Sequence, residues 1–261
     1  YYQFPLGNYE VAVGPKLDND DLMPTTISKY SDSFFFGGRV LLDTGFYSFP
    51  GVTGAGVAVS RVFDNGFNVS GSLIGTDASS SAGLITKEGN DVTTLSVGYD
   101  ADSYGLGLVY VEMDDICGFV AGYKTCASLG ANGVASASSI GIGGYWTPNE
   151  GKTTLSLTIN SVEASVTGLT VEDIYDSQFS IDHEMGEGVL SASIKGSDFW
   201  NGGGNNNLVQ DYVGEFAEIY YTYPVNDALE LSGGVAFAMP DNTGLVWIDR
   251  TAVGAGATFK F

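Results

Sequence analysis

No stretch of about 18 or more apolar residues occurs anywhere in the 261-residue chain, which excludes a transmembrane helix. Cations are scarce. Ten Lys and Arg face 31 Asp and Glu, a net charge of −21, so nucleic acid is excluded as a partner. His183 is the sole histidine, and a Ser-His-Asp hydrolase would have to use it. It falls beside an expected tight turn, and no Gly-x-Ser-x-Gly accompanies it, so no catalytic residues are expected and the chain reads as a non-enzyme. Gly254-Ala-Gly256 matches a nucleotide fingerprint only by letter, because no helix can follow it. The acidic run at 18–21 is not an EF-hand: Leu22 stands where an oxygen ligand belongs, and the loop glycine is missing. No cofactor or metal is expected. Cysteine is limited to Cys117 and Cys126. Both fall in one expected loop, so a local disulfide is expected, with Cα atoms within about 7 Å. The chain begins YYQF, without Met or a leader, and is expected to be the carboxy-terminal part of a longer precursor.

What is present is glycine, aromatics and a period of two. There are 37 Gly, and the chain is 44% hydrophobic and 13% aromatic, too apolar and too patterned for disorder. Near the end, Leu229, Leu231, Val235 and Phe237 recur at every second position, with Gly233 in the gap. Val253, Ala255, Ala257, Phe259 and Phe261 repeat the pattern, with Gly254, Gly256, Thr258 and Lys260 between them. Such alternation makes a strand with one apolar face and one small or polar face. A chain stopping on an aromatic strand suits a transmembrane β-barrel, whose last strand ends in an interfacial aromatic girdle. Gly256, Phe259 and Phe261 fit a terminal signal for the barrel assembly machinery.

Strands are expected at 1–4, 9–17, 54–64, 67–76, 92–100, 104–112, 139–147, 152–165, 174–183, 188–195, 213–223, 228–238 and the terminus. Short turns are expected at 5–8, 65–66, 101–103, 148–151, 185–187 and 224–227. Long connections alternate with them, at 18–50, 79–90, 113–135, 198–211 and 239–249. The expected fold is therefore all-β: an antiparallel up-and-down transmembrane barrel with short periplasmic turns and long external loops. About thirteen strands are visible, and single-chain barrels of this kind carry even numbers. A wall of about sixteen would leave three upstream and put the 18–50 segment between strands five and six.

The opening, YYQFPLGNYEVAVGPKLDNDDLMP, resembles the middle of the cyanobacterial outer-membrane porins, through residues 1–4, 13–16 and 20–22. The end, IYYTYPVNDALELSGGVAF, is similar to a hairpin of the same family. These proteins are similar to the carbohydrate-selective porins and are often labelled iron-uptake porins. The resemblance covers both ends and is weak from about 79 to 211. It implies a single porin domain over 1–261, with a leader, a wall-binding domain and the first strands upstream. It also implies the partners: outer-membrane lipid, small hydrophilic solutes or ions, a homotrimer, and the cell wall through the missing domain.

Two charge sets follow. Asp18, Asp20, Asp21, Lys29, Asp32 and Arg39 could set a field across a pore constriction; equally, they could be a solvated acidic loop. Strand parity turns Asp100, Asp182, Glu218 and Glu230 into the lumen, against Lys195 and Lys260. Acids prevail, so weak cation preference is expected. The aromatic run 34–36 reads as packing against the inner wall ahead of a platform for stacking sugars. Two functions fit: a passive diffusion channel, or a structural barrel that tethers membrane to wall with its lumen closed. Val69, Leu157, Ile159, Leu231 and Phe237 should face lipid; Ser70, Thr158 and Ser232 should face the lumen. A charge should cost about 2–4 kcal/mol at Leu157 and little at Thr158.

Overall fold

The computed structural model describes residues 1–23, 27–30, 53–75, 91–114, 135–166, 174–196, 215–239 and 251–260. Thirteen strands form one sheet: β1 (Tyr2–Leu6), β2 (Tyr9–Asp18), β3 (Thr53–Val62), β4 (Phe67–Gly75), β5 (Asp91–Asp100), β6 (Tyr104–Met113), β7 (Ala135–Trp146), β8 (Thr153–Val166), β9 (Ile174–Met185), β10 (Gly188–Gly196), β11 (Glu215–Asn226), β12 (Leu229–Met239) and β13 (Thr251–Phe259). Each strand pairs antiparallel with the next in sequence. The architecture is the all-β, up-and-down one that the alternation predicts. Among the described residues no helix is long and apolar enough to cross a membrane; strands cross by other means.

The connections sort onto two rims. Short turns after β1, β3, β5, β7, β9 and β11 share one rim, and the long connections share the other. On the short-turn rim, between β3 and β4, Phe63 N donates to Phe67 O at 2.8 Å and Gly66 N to Phe63 O at 3.0 Å, closing the hairpin. Gly66 has φ 89°, and a Cβ there would strike the Asp100 carbonyl, so only glycine fits this turn. Two expected turns are displaced. Pro5 lies within β1, opposite Glu10, where the sheet ends and a missing N–H is tolerated. Pro224 lies within β11, opposite Glu230, and the register shifts between Pro224 and Asn226. The turns themselves fall at 7–8 and 227–228.

The two faces of the sheet reverse the soluble pattern. Leu95 is 51% exposed and Leu157 49%; Val69, Val97, Leu108, Ile142, Ile219, Leu231 and Phe237 share that face. Ser156 and Thr158 are 3% exposed, and Asn68, Thr94, Asn160, Gln178, Ser180, Ser191 and Ser193 are buried beside them. A water-soluble sheet buries its apolar face. A wall with apolar residues outward and polar residues inward is built for lipid outside and an aqueous lumen inside.

Aromatic and long apolar side chains crowd the outer face at the short-turn rim: Tyr9, Phe67, Tyr104, Trp146, Tyr223 and Phe259 are all exposed. Phe67 packs edge-on to Tyr99 at 5.1 Å between ring centroids. This is the girdle that an interface between hydrocarbon and headgroups selects.

Candidate functional site: the inner wall and the segment across it

The inner wall is built by register. Cross-strand pairing sets Tyr145 opposite Ser156, Ser156 opposite Ser180, Ser180 opposite Ser193, and Ser193 opposite Glu218. Paired residues share a face, so one row of inward side chains crosses β7 to β11. Gln178 Nε2 donates to Ser193 Oγ at 2.9 Å, and Ser180 Oγ and Ser193 Oγ lie 2.9 Å apart. Asp182 accepts from Ser191 Oγ at 2.5 Å. Asp100 accepts from Asn68 Nδ2 at 2.9 Å and from Tyr145 Oη at 2.8 Å.

The chain leaving β2 lies against this wall. Its first part is held at the long-connection rim by an apolar patch. Leu17 and Ile27 are buried with Ala12, Ala58, Ile74, Val92, Val109, Val111 and Met113, and Leu22 and Met23 pack on them. Apolar residues on an inward face are out of place in a polar lumen unless something covers them. Leu17, Leu22, Met23 and Ile27 supply that cover. Polar contacts hold the backbone: Ser72 Oγ donates to the Asn19 carbonyl at 2.6 Å, and Asn19 Nδ2 reaches Thr94 Oγ1 at 3.5 Å.

Its second part reaches the far strands. Lys29 N donates to Ser156 Oγ at 3.1 Å on β8, and Tyr30 Oη to Glu218 Oε1 at 2.5 Å on β11. The Tyr30 ring meets Tyr220 edge-on at 6.2 Å. Lys29 Nζ stands 4.0 Å above the Tyr145 ring, a cation–π contact. Burial, with the Glu218 carboxylate beside it, pushes the Tyr30 hydroxyl well above the usual tyrosine range, so it remains a donor. One short segment thus meets β4, β5, β8 and β11, with these strands arranged around it.

Gly143 on β7 makes room for the segment. A Cβ there would collide with Ile27 Cγ2 and lie 2.8 Å from both the Ile27 carbonyl and Thr158 Cγ2. Gly143→Val is therefore expected to displace Ile27 while leaving the lipid face intact. The check is protease cleavage within residues 19–30 of the folded, membrane-inserted protein. Faster cleavage than wild type is expected; an unchanged rate would mean Ile27 does not rest on Gly143.

The acidic residues after β2 gather at the long-connection rim. Thr53 Oγ1 donates to Asp18, and Asp18 N donates to Asp21 Oδ2 at 2.9 Å. Asp20 contributes its carbonyl to Met23 N at 2.8 Å. Lys29 lies apart from them, over Tyr145. Asp32, Arg39 and the aromatic run 34–36 lie outside the described residues, as do Cys117, Cys126 and Phe261. Asp100, Asp182, Glu218 and Glu230 have inward register positions, and so does Lys195, whose Cα pairs with Gln178. Lys260 pairs with Glu230 at 3.5 Å on the exposed short-turn rim, a contact worth little. Gly256 sits inward opposite Ser232, and Phe259 is exposed outward. His183 stands on the outer face, its Nδ1 2.9 Å from Thr153 Oγ1, turned away from the inner wall.

Sequence reasoning did not find Tyr30, Ser156 or Tyr145. Their partners are far away in sequence, and no short motif marks them. The one usable signal was that Tyr30 follows the single lysine of an otherwise acidic stretch.

This geometry defines the class: a transmembrane β-barrel of porin type, with a segment crossing its lumen. The solved structures it matches agree. An anion-selective porin from Comamonas acidovorans superposes with TM-score 0.61 and 12% identity, covering 98% of this chain and 71% of that one. A mutant porin of Rh. blastica gives TM-score 0.58 and 14% identity, over 99% and 75%. OmpF of Salmonella typhi, in complex with daunomycin, gives TM-score 0.53 and 11% identity, over 79% and 62%. At these identities the likeness establishes the fold. No family model matches the chain, and no curated protein does.

Proposed function

We propose that this chain is an outer-membrane porin, a water-filled channel for passive diffusion of small hydrophilic solutes and inorganic ions, with sugars among its solutes. It catalyses nothing. The observation that carries the reading is the inverted wall: apolar residues such as Leu95 and Leu157 outward, and Ser, Thr, Asn and Gln inward. Asp18, Asp20, Asp21, Lys29, Asp32 and Arg39 belong to the constriction. Asp18, Asp20, Asp21 and Asp32 bring negative charge to it, and Lys29 and Arg39 positive charge. The inward acids Asp100, Asp182, Glu218 and Glu230 outnumber Lys195 and Lys260, which favours cations weakly. The family is the cyanobacterial, carbohydrate-selective type that both ends resemble.

The same reading supplies the surroundings. Neighbouring strands alternate in direction, so β1 and β13 run the same way. Closing an all-antiparallel wall between them takes an odd number of further strands. We place these upstream in a longer polypeptide, with a wall-binding domain beyond them and Cys117 and Cys126 joined in an external loop. Gly256, Phe259 and Phe261 address the assembly machinery, and the assembly is a homotrimer.

A second reading keeps the barrel but closes its lumen, making it a tether between membrane and wall. The Tyr30–Glu218 contact favours it, because it fastens the crossing segment to the strands opposite. Swelling of proteoliposomes in sugars of increasing size separates the two. The porin reading predicts swelling that is fast for small sugars and falls with solute size. Swelling no faster than in empty liposomes would leave the tether.

A further inference from the structure

Arg61 is a cation on the lipid-facing side of the wall. Its register partner is Val69, which pairs with Val97, which pairs with Leu108, a row of outward apolar side chains. Arginine on this face is costly at the bilayer midplane and far cheaper near the interface. The side chain takes the cheaper position by turning to the short-turn rim. Its Nη1 donates to Tyr9 Oη at 3.3 Å, and its guanidinium stands 4.3 Å from the Phe63 ring centroid and 5.1 Å from that of Tyr9. Ring, hydroxyl and ring hold the fork within the aromatic girdle.

A guanidinium carries five N–H donors. Tyr9 Oη takes one, and the rings offer faces rather than lone pairs. Among the described residues the ion pair present is Lys260–Glu230, so no described carboxylate is bridged to Arg61. The remaining donors sit at headgroup depth, where the abundant acceptor is a phosphate, and a guanidinium engages phosphate through two parallel hydrogen bonds. We propose that Arg61, with Tyr9 and Phe63, forms a binding site for the phosphate diester of an anionic phospholipid at the short-turn rim. The girdle rings flank the acyl chains, and Arg61 holds the headgroup. The site rests on the reading of the wall as membrane-spanning.

The test is retention of lipid by the intact folded chain, purified in detergent and analysed by native mass spectrometry. Phosphatidylglycerol is offered beside a neutral glycolipid of the same acyl length, which carries no phosphate. Wild type is expected to retain phosphatidylglycerol preferentially. Arg61→Gln should lower that retention about tenfold, the loss of a charge-assisted contact. Tyr9→Phe should lower it in the same direction with no change of charge. Lys152→Gln removes an exposed cation on the same rim and should change nothing. Heat-modifiable gel mobility confirms that each variant is folded. Equal retention by Arg61→Gln and wild type would overturn the site, with the membrane-spanning reading untouched. Equal retention of the neutral glycolipid would overturn the phosphate chemistry. Displacement by millimolar glycerol phosphate would make it a site for soluble phosphate and overturn the lipid assignment. A chain that retains no lipid in any form would overturn the site and the membrane reading together.

Discussion

Deleting residues 25–32 is expected to raise single-channel conductance and to admit larger sugars. The deletion removes Ile27, whose burial against the inner wall is worth about 1.5–3 kcal/mol. It also removes the Lys29–Ser156 and Tyr30–Glu218 bonds and the Lys29 charge over Tyr145. It spares Leu17, Asn19 and Leu22, so the stem stays fixed to β4 and β5 through Ser72 and Thr94. The strands are untouched, and folding should survive. The crossing alone is lost, and the lumen should widen at that level. Glu218, buried at 3% and relieved of its Tyr30 partner, should then face water and strengthen the cation preference. Planar-bilayer recordings with a salt gradient check both. Channels of unchanged conductance and selectivity would place the filter elsewhere in the wall.

Arginine at Leu157 is expected to destabilise the barrel by about 2–4 kcal/mol, the cost of a cation on the lipid face near mid-membrane. Leu157 is 49% exposed on the outer face of β8, between Gly144 and Phe179 in register. The matched inward position is not its neighbour Thr158. That residue is 3% exposed, and its Cγ2 lies beneath Ile27 at Gly143, so a long side chain there would dislodge the crossing segment. Ser232, inward and half-buried on β12, is the proper comparison. Ser232→Arg should change stability by under about 0.5 kcal/mol, as a substitution away from packed contacts. Denaturant unfolding in lipid vesicles measures both. A Leu157→Arg variant as stable as Ser232→Arg would contradict the assignment of outer and inner faces.

The wall was legible because it is local and periodic. Leu155, Leu157 and Ile159 alternate with Ser156, Thr158 and Asn160 over the whole of β8, and the turn at Asn65–Gly66 announces itself. Errors fell where proline competes with pairing. Pro5 and Pro224 read as turn residues, yet each has a strand partner, one at the sheet's end and one beside a register shift. The segment after β2 was legible only as a mixed-charge connection carrying an aromatic run at 34–36. Its contacts join Tyr30 to Glu218 and Lys29 to Ser156, pairs that meet only once the sheet has curved. A sequence pattern carries no record of such distances. The inward register positions of Asp100, Asp182, Glu218 and Glu230 follow from the same period-two rule as the strands.

The most direct measurement of the central claim is single-channel recording of the intact protein in a planar bilayer under a potassium chloride gradient. The porin reading predicts discrete, stable conductance steps and a reversal potential displaced toward the potassium equilibrium potential. A bilayer that takes up the folded protein and stays silent would contradict it and leave a closed barrel.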